Sequence, residues 1–421
     1  MNILEQALLQ EEKRQRENIE LIASENYASE QVLRFQGSLF TNKYAEGYPG
    51  KRYYHGCENI DIIENTARDE AKKLFSTDYH VNVQPHSGSS ANMAVYFHLA
   101  QVYKGEKLRV LWMNLDGGWH LTHWAFPSFS GEKFSFFESV GYGVNDEGYL
   151  DYQAIRELAR EHKPHLIIAG ASAYSRIIDF QEFRSIADEV GAHLLVDMAH
   201  IAGLVATGFH PSPFGIADFV TSTTHKTLAG PRSGIIFTKN EKEWKKIDSV
   251  VFPGLQGGPL EHIIAAKAQC FIEAQTPYFK EYIGKVVQYA KIFEEEFRWY
   301  IDIVTWGTDN HLLLLDFRPL GLTGAQVADA LEEVNITVNK NSVPGDTNPV
   351  HPSGIRIWSP AITRREIDDD GIRTIAENIK RVVEILRDKD TDSHIKEALI
   401  ETIRQENISL VKNLPIFPNI Y

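Results

Sequence analysis

Two short stretches of the sequence each end in a side chain that can do chemistry. The apolar run 194–196 leads into Asp197, and the hydroxyl-rich, β-prone run 221–225 leads into Lys226. Taken alone, an aspartate in such a place is often a helix cap, and a lysine is often a solvated surface residue. Together the pair indicates pyridoxal phosphate (PLP), because a lysine amine forms a Schiff base with the cofactor aldehyde and a carboxylate keeps the pyridine nitrogen protonated.

The segments around this pair must bring it to one place. Strand-like and helix-like segments alternate from residue 81 to residue 226, which predicts a mostly parallel sheet with helices on both faces. In such sheets, ligands bind beyond the carboxyl ends of the strands. The polar residues that follow predicted strands are Ser87, His120, Ser172, Asp197 and Lys226. We therefore expect these residues to face one site.

Other stretches have compositions typical of binding loops. The turn Ser87-Gly88-Ser89 precedes a helical segment, which is a common phosphate site, although the same sequence also serves as a simple helix cap. The stretch 41–54 combines tyrosines with glycine and proline, which favours an ordered loop with hydroxyl donors. The short strand 354–358 carries Arg356, which is either a clamp for a substrate carboxylate or a surface arginine.

The C-terminal part of the chain has a different pattern. A long helical segment ending near residue 298 connects it to the preceding sheet. Beyond this segment the apolar periodicity predicts a second α+β unit. Its predicted strands lie at 311–317 and 354–358, and its predicted helices lie at 323–333, 364–388 and 392–410.

Length and composition limit the possibilities further. The chain has 421 residues and a formal net charge of −14, which argues against non-specific binding to nucleic acid. The length fits one large domain plus a smaller one. We expect an N-terminal helical arm with a dimer and active-site loop at 1–80, a large PLP-binding domain at 81–280 and a small C-terminal domain at 281–421. Cys57 and Cys270 make no disulfide framework, and no leader or long apolar run is present, so we expect a cytoplasmic protein that does not bind a membrane.

Several longer motifs resemble one known family. They are ELIASENY (20–27), TNKYAEGYPGKRYY (41–54), NVQPHSGS (82–89), SAYS (172–175), VDMAHIAGLVA (196–206), TTHKTLAGPR (223–232) and PAITRR (360–365). On these motifs the chain resembles serine hydroxymethyltransferase over nearly its whole length. The resemblance implies an α/β, fold-type-I (aspartate aminotransferase-like) PLP-dependent transferase with a mostly parallel, seven-stranded sheet and a smaller C-terminal α+β domain. It also implies a homodimer or a tetramer with shared active sites.

The resemblance assigns expected roles to single residues. Lys226 bonds the cofactor, Asp197 pairs with the pyridine nitrogen, His120 stacks on the ring, and Glu46 moves protons at the substrate hydroxyl. The implied catalytic set is Lys226, Glu46, His120, Asp197, His200 and Tyr54. The implied PLP-binding set is Lys226, Ser87, Gly88, Ser89, His120, Ser172, Asp197, His200, His225, Tyr44, Gly257 and Gly258. The last three of these are expected to reach the phosphate from a second subunit.

The same resemblance implies two further binding sets. The amino-acid substrate is expected to contact Ser24, Tyr54, His200 and Arg356. The folate or acceptor pocket is expected to consist of Glu46, Tyr53, Leu115, Trp119, Leu121, Asn341 and Trp358. Trp119 and Trp358 stand where the family usually has glycine, so two indoles add bulk at positions expected near this pocket.

Three functions remain open on the sequence. The first is the reversible conversion of serine and tetrahydrofolate, a co-substrate, into glycine and 5,10-methylenetetrahydrofolate. The second is a folate-independent L-threonine aldolase or transaldolase that passes a glycine carbanion to another aldehyde. The third is an inactive relative that acts as a binding partner, which the intact Lys226, Asp197 and Arg356 disfavour. No metal site is predicted, because His120 and His123 have metal-like spacing but no accompanying ligand set.

Overall fold

The computed structural model describes residues 1–114, 137–346 and 352–417. The first range contains α1 Ile3–Glu17, β1 Ile19–Glu20, α2 Glu30–Gln36, β2 Gly47–Tyr48, β3 Lys51–Arg52, α3 Glu58–Leu74, β4 His80–Asn82, α4 Gly88–Val102 and β5 Leu108–Met113. The second range begins with β6 Phe137–Tyr142, α5 Tyr152–His162, β7 Leu166–Ala169, α6 Phe180–Val190, β8 His193–Asp197, α7 Ala202–Thr207, β9 Phe219–Thr223 and β10 Gly234–Thr238.

The remaining elements lie between residue 241 and residue 411. The second range continues with α8 Glu241–Ser249, α9 Glu261–Glu273, α10 Pro277–Phe297, β11 Asp302–Ile303, β12 Leu312–Asp316, α11 Gly324–Glu333, β13 Ile336–Thr337 and β14 Asn339–Asn341. The third range contains β15 Gly354–Trp358, α12 Pro360–Arg364, α13 Asp369–Arg387 and α14 Ser393–Val411. Within these three ranges, no helix combines the length and the apolar character needed to cross a membrane.

A seven-stranded sheet forms the centre of the larger core, in the order β4-β10-β9-β8-β7-β5-β6. Strands β9, β8, β7, β5 and β6 run parallel, whereas β10 is antiparallel to both of its neighbours. Strand β7 is buried along its whole length, as expected for a strand covered by helices on both faces. The single reversed strand leaves β4 parallel to β9, so the carboxyl ends of β4, β7, β8 and β9 lie at one edge.

Side-chain caps set the starts of the helices that cover this sheet. The Asp151 carboxylate accepts hydrogen bonds from backbone N–H groups at the start of α5, and Asp179 does the same for α6. Helix α6 ends at Gly191, whose φ of 71° is a left-handed conformation that glycine adopts at little cost. These caps fix the points at which the chain leaves each helix and enters the next strand.

A second core surrounds a four-stranded antiparallel sheet in the order β11-β12-β15-β14. Helix α13 packs against α10, α11 and α14, and buries Ile372, Ile375 and Ile379 along one face. Strand β1 pairs in parallel with β13, and Ile19 and Leu21 belong to this second core. The N-terminal segment is therefore attached to the C-terminal part of the chain.

Two helices predicted from the sequence are interrupted in the structure. The helical segment predicted to end near residue 298 is divided into α9 and α10, because Thr276 caps the second helix and Pro277 occupies its first turn, where a missing N–H costs nothing. In the helix predicted at 364–388, the break lies near the start, at residues 365–368. Helix α12 ends at Arg364, and the Asp368 carboxylate caps α13.

Candidate active site

A pocket opens at the carboxyl edge of the seven-stranded sheet. The lining residues are Gly88, Asn92, Gly170, Ala171, Ser172, Asp197, Ala199, His200, Thr223 and Lys226. The ends of β7, β8 and β9 and the first turns of α4 supply most of this wall. The structure therefore brings together several residues that the sequence places at the site, namely Gly88, Ser172, Asp197, His200 and Lys226.

Lys226 lies just beyond β9 and exposes only 5% of its surface. Burial lowers the pKa of its amine to about 8; the Asp197 carboxylate opposes this shift, and the guanidinium groups of Arg356 and Arg232 reinforce it. A lysine whose pKa lies this close to neutrality is partly unprotonated, which nucleophilic attack on a carbonyl requires. The side-chain amide of Asn26 donates to the Lys226 carbonyl oxygen at 2.8 Å and so holds the backbone at this point.

Within the described residues, Asn92 and Ala199 donate hydrogen bonds to the Asp197 carboxylate. Its Oδ2 accepts from the side-chain amide of Asn92 at 2.9 Å, and its Oδ1 accepts from the backbone N–H of Ala199 at 3.0 Å. Asn92 is itself fixed, because its Oδ1 accepts from the Thr221 hydroxyl at 2.6 Å. The sequence did not single out Asn92 or Thr221 for this task, although Thr221 begins the hydroxyl-rich run that leads into Lys226. Together they orient a carboxylate toward the pocket.

The start of α4 forms a cradle with room for little beyond backbone. Ser87 caps the helix by accepting from the backbone N–H of Ser90 at 3.1 Å. A Cβ at Gly88 would lie 2.6 Å from the Thr223 methyl group, and a Cβ at Gly234 would lie 2.1 Å from the Ser87 carbonyl oxygen. Glycine is therefore required at both positions. A helix N-terminus lined in this way presents free N–H groups and favours a bound anion.

A buried lysine braces this cradle from behind. Lys267, on α9, exposes 1% of its surface, and its ammonium group donates to the carbonyl oxygens of Val83, Pro85 and Gly234 at 2.5, 3.3 and 2.7 Å. An ammonium group has three N–H donors and no acceptor, so three carbonyl oxygens satisfy it fully. Lys267 therefore ties the segment before α4 to the start of β10.

These features fit PLP. The Lys226 amine matches the cofactor aldehyde, the Asp197 carboxylate matches the pyridine nitrogen, and the start of α4 matches the phosphate. Thr223 also lines the pocket, and its hydroxyl is buried without a hydrogen-bond partner in the described part of the chain. A polar group in that state requires a partner, which a cofactor at this edge of the sheet would supply.

Arg356 approaches the pocket from the second core. Its Nε donates to Oδ1 of Asn339 at 3.1 Å, and its Nη1 donates to the carbonyl oxygen of Ser172. Burial alone lowers the pKa of Arg356 to about 10. The guanidinium group thus connects a strand of the small sheet to the loop that follows β7 in the large sheet.

A second histidine, which the sequence did not reveal, lies behind His200. The ring of His311 lies 6.1 Å from that of His200 and is fully buried. Burial lowers the pKa of His311 to about 3, and the positive charge of Arg356 adds to the effect, so this imidazole is neutral. The indole of Trp358 meets the His311 ring edge-on at 5.5 Å and packs against Ala23 in a buried cluster. In the described structure Trp358 therefore fills a core, and its assignment to an acceptor pocket stays a prediction.

A separate group of expected site residues lies together on the surface, and we call Tyr44, Glu46, Tyr53, Tyr54, Gly257 and Gly258 the tyrosine cluster. The Tyr54 hydroxyl donates to the Glu46 carboxylate at 3.1 Å, which raises the pKa of Tyr54. The rings of Tyr44 and Tyr54 meet at 5.8 Å, and Tyr53 meets Phe252 at 5.6 Å. None of these side chains lines the pocket at Lys226.

The two glycines of the tyrosine cluster allow close approach of its polar side chains. A Cβ at Gly258 would lie 2.9 Å from the Tyr44 ring, and a Cβ at Gly257 would lie 3.3 Å from the Glu46 carboxylate. The turn itself is anchored by Gln256, whose side chain donates to the Gln84 carbonyl oxygen at 2.9 Å. The glycine-rich turn and the tyrosine-rich loop thus form one surface.

Some of the remaining expected residues lie in the described structure and others do not. Ser24, Ser89 and Asn341 are half-buried, and Asn341 donates to the neighbouring Ser342 carbonyl oxygen at 2.7 Å. His225 immediately precedes Lys226. The expected residues Leu115, Trp119, His120 and Leu121 lie outside the described residues.

A buried lysine with its aspartate partner, above an anion cradle at the carboxyl edge of a largely parallel sheet, defines a PLP-dependent enzyme of fold type I. The family model for serine hydroxymethyltransferase matches residues 2–379. The chain belongs to the serine hydroxymethyltransferase family. Members of this family use PLP, so the predicted family, fold type and cofactor are confirmed.

Similar proteins cover nearly the whole chain. A serine hydroxymethyltransferase of Lactobacillus gasseri is 54% identical over 406 residues, which is 96% of this chain and 97% of the relative. One of Lactobacillus acidophilus is 54% identical over 414 residues, covering 97% of each chain. One of Alcanivorax borkumensis is 53% identical over 415 residues, covering 98% of this chain and 96% of the relative.

Proposed function

We propose that this chain converts serine and tetrahydrofolate reversibly into glycine and 5,10-methylenetetrahydrofolate, with PLP attached to Lys226. The observation that carries the proposal is the buried Lys226 amine facing Asp197 in one pocket. The identity of more than half of the sequence to proteins named serine hydroxymethyltransferase favours this activity over folate-independent threonine cleavage. When bound, PLP supplies an electron sink that permits cleavage of the Cα–Cβ bond.

Different residues of the pocket would bind different parts of the cofactor. Lys226 would provide the covalent bond, and Asp197 would keep the pyridine nitrogen protonated. The N–H groups of Gly88 and Ser89, with the hydroxyl of Ser87, would bind the phosphate. The set proposed beside them consists of His120 on the ring, Ser172 and His200 near the ring oxygen, and His225, Tyr44, Gly257 and Gly258 at the phosphate.

The amino-acid substrate would be held mainly through its carboxylate. Arg356 presents a guanidinium group beside the pocket, and guanidinium groups bind carboxylates with two parallel hydrogen bonds. We assign supporting contacts to Ser24, Tyr54 and His200. Glu46, hydrogen-bonded to Tyr54, is the group that we assign to proton transfer at the substrate hydroxyl.

The tyrosine cluster would complete the site of a second subunit. The family acts on small amino acids and is generally oligomeric. Within this chain the cluster is exposed, with 57% of Tyr44 and 72% of Tyr53 accessible, and it contributes nothing to the chain's own pocket. A homodimer in which each chain lends Tyr44 and Glu46 to its partner would account for both observations.

Folate would bind beside this shared site. We propose contacts from Glu46, Tyr53 and Asn341, with Leu115, Trp119, Leu121 and Trp358 shaping the acceptor pocket. We also propose the division into segments 1–80, 81–280 and 281–421. A cytoplasmic location is proposed because both cysteines are free and buried.

A direct assay tests the proposed reaction. Purified protein loaded with PLP is given serine, and glycine formation is measured with and without tetrahydrofolate. Product that depends on tetrahydrofolate is expected, together with little acetaldehyde from threonine. Acetaldehyde release from threonine at a higher rate, with no response to tetrahydrofolate, would refute the proposal in favour of the aldolase.

A further inference from the structure

The guanidinium group of Arg356 is oriented by a residue on the neighbouring strand. Arg356 on β15 and Asn339 on β14 are direct partners in the antiparallel register. The Arg356 Nε donates to the Asn339 side-chain oxygen at 3.1 Å. The other end of the same amide donates to the Lys340 carbonyl oxygen at 3.2 Å, which fixes the face that Asn339 turns toward Arg356.

Both acceptors that hold Arg356 are uncharged. One is the Asn339 amide oxygen, and the other is the Ser172 backbone carbonyl. In the described part of the chain no carboxylate forms an ion pair with Arg356, and burial is what lowers its pKa. Its positive charge is thus positioned on two sides without being neutralised.

Two other arginines, Arg318 and Arg52, are instead paired with carboxylates. Arg318, which follows β12 of the same sheet, binds the Asp316 carboxylate through Nε at 3.0 Å and Nη2 at 2.6 Å. Arg52 is paired with both Asp61 and Glu64 at 2.8 Å. A guanidinium group paired in this way has little charge left to attract a ligand. An amide at position 339, unlike a carboxylate, therefore holds Arg356 without forming an ion pair with it.

We infer that Asn339 positions the Arg356 guanidinium for the carboxylate of the amino-acid substrate while leaving its charge available, and so sets the affinity for α-amino acids. The inference rests on the proposed function, in which Arg356 binds that carboxylate. Aspartate has nearly the same shape as asparagine, but it would place a negative charge where the neutral oxygen now lies. The resulting internal ion pair would compete with the ligand for Arg356.

The test compares Asn339→Asp with Asn339→Leu, a neutral variant of similar size that lacks the acceptor. Both holoenzymes are titrated with glycine, and binding is read from the change in cofactor absorbance. Asn339→Leu should weaken glycine binding roughly tenfold, because one hydrogen bond to a charged group is lost. Asn339→Asp should weaken it by about a hundredfold or more, because the competing charge acts in addition.

Methylamine provides the matched ligand, since it has the amine of glycine without the carboxylate. Its binding should change by less than about twofold in either variant, because the inferred effect acts only through Arg356. PLP content and the melting temperature of each variant show whether the fold is retained. If Asn339→Asp binds glycine as tightly as Asn339→Leu, or loses methylamine to the same extent as glycine, the inference is wrong.

One further variant separates this inference from the proposed function. Arg356→Leu should abolish the preference for glycine over methylamine. If Arg356→Leu binds glycine as the unmodified protein does, the assignment of Arg356 as the carboxylate clamp is wrong. If Arg356→Leu loses glycine and Asn339→Asp does not, the clamp stands and the role of Asn339 is wrong.

Discussion

The pocket at Lys226 and the tyrosine cluster are built on opposite plans. In the pocket, Lys226 and His200 expose only 5% and 4% of their surface, and the neighbouring carboxylate has a fixed hydrogen-bond partner at each oxygen. In the cluster, Tyr44 and Tyr54 expose 57% and 47% of theirs. The residues of the pocket are held by contacts within one chain, whereas the tyrosine cluster exposes hydrogen-bonded polar groups on the surface.

This contrast indicates which functional groups of the protein are preorganised. Groups that bond or orient the cofactor are held by the chain's own sheet, so they are in place before any ligand arrives. Groups on the surface gain a function only when something is placed against them.

Replacing Lys226 should have the largest effect. In Lys226→Ala the covalent bond to PLP cannot form, so serine cleavage should fall by about a thousandfold or more. Borohydride, which fixes the cofactor to the unmodified protein, should fix none to the variant. Lys239→Ala, which removes an exposed lysine, is the matched control and should retain fixed cofactor. Normal borohydride fixation in Lys226→Ala would show that another lysine bonds PLP.

Mixing two inactive variants tests whether the two regions meet across a subunit boundary. Lys226→Ala damages the pocket and Glu46→Gln damages the cluster. If the site is shared, mixed subunits should recover about a quarter of normal activity, because half of the dimers are hybrids and each hybrid has one intact site. Two copies of the same variant are the control. No recovery, after subunit exchange has been verified, would place Lys226 and Glu46 in the site of one chain.

Crowding the glycine-rich turn should have a smaller, graded effect. Gly258→Ala forces a methyl group to within 2.9 Å of the Tyr44 ring, while Gly257→Ala comes only to 3.3 Å of Glu46. We expect PLP to dissociate roughly tenfold faster from Gly258→Ala and less than that from Gly257→Ala. Gly37→Ala, whose new methyl group meets nothing closer than 3.8 Å, should behave as the unmodified protein. Equal retention of PLP in all three variants would show that the tyrosine cluster does not contact the PLP phosphate.

The smallest expected effect is a shift in the pH dependence of PLP attachment when Asp197 is replaced. The pKa of Lys226 is about 8, so its amine is mostly protonated below that pH and free above it. The rate of covalent PLP attachment to the apoprotein should therefore rise through about pH 8. In Asp197→Asn the carboxylate that raises this pKa is lost, and the rise should move down by about one pH unit. A free lysine derivative, measured in parallel, corrects for titration of PLP, and an unchanged or higher midpoint would contradict the prediction.

The sequence predicted the parts of the fold that periodicity and apolar runs describe. Strand β7, which precedes Ser172, is a continuous apolar run of the kind that predicts a buried strand, whereas β6 includes Glu138, Ser139 and Gly141 and carries no such signal. The reversal of β10 could not be read, because strand direction depends on pairing between distant segments. The breaks before Pro277 and at Asp368 had local signals, a threonine–proline pair and an aspartate cap, that the helical periodicity outweighed.

The candidate site divides in the same way. Lys226, Asp197 and Gly88 were predicted, because each lies at the end of a strand or the start of a helix. Asn339 and His311 were not, because each acts only through a side chain that is distant in sequence. Long sequence motifs identify the residues that contact a cofactor, whereas the residues that orient those side chains are identified only from the three-dimensional structure.

Buried Lys267 affects how the cofactor binds and dissociates. Lys267 fixes three carbonyl oxygens around the start of α4 by contacts that lie wholly within the protein. The cradle is therefore a product of chain folding and keeps its shape when PLP leaves. An enzyme that has lost PLP should accordingly bind it again without refolding.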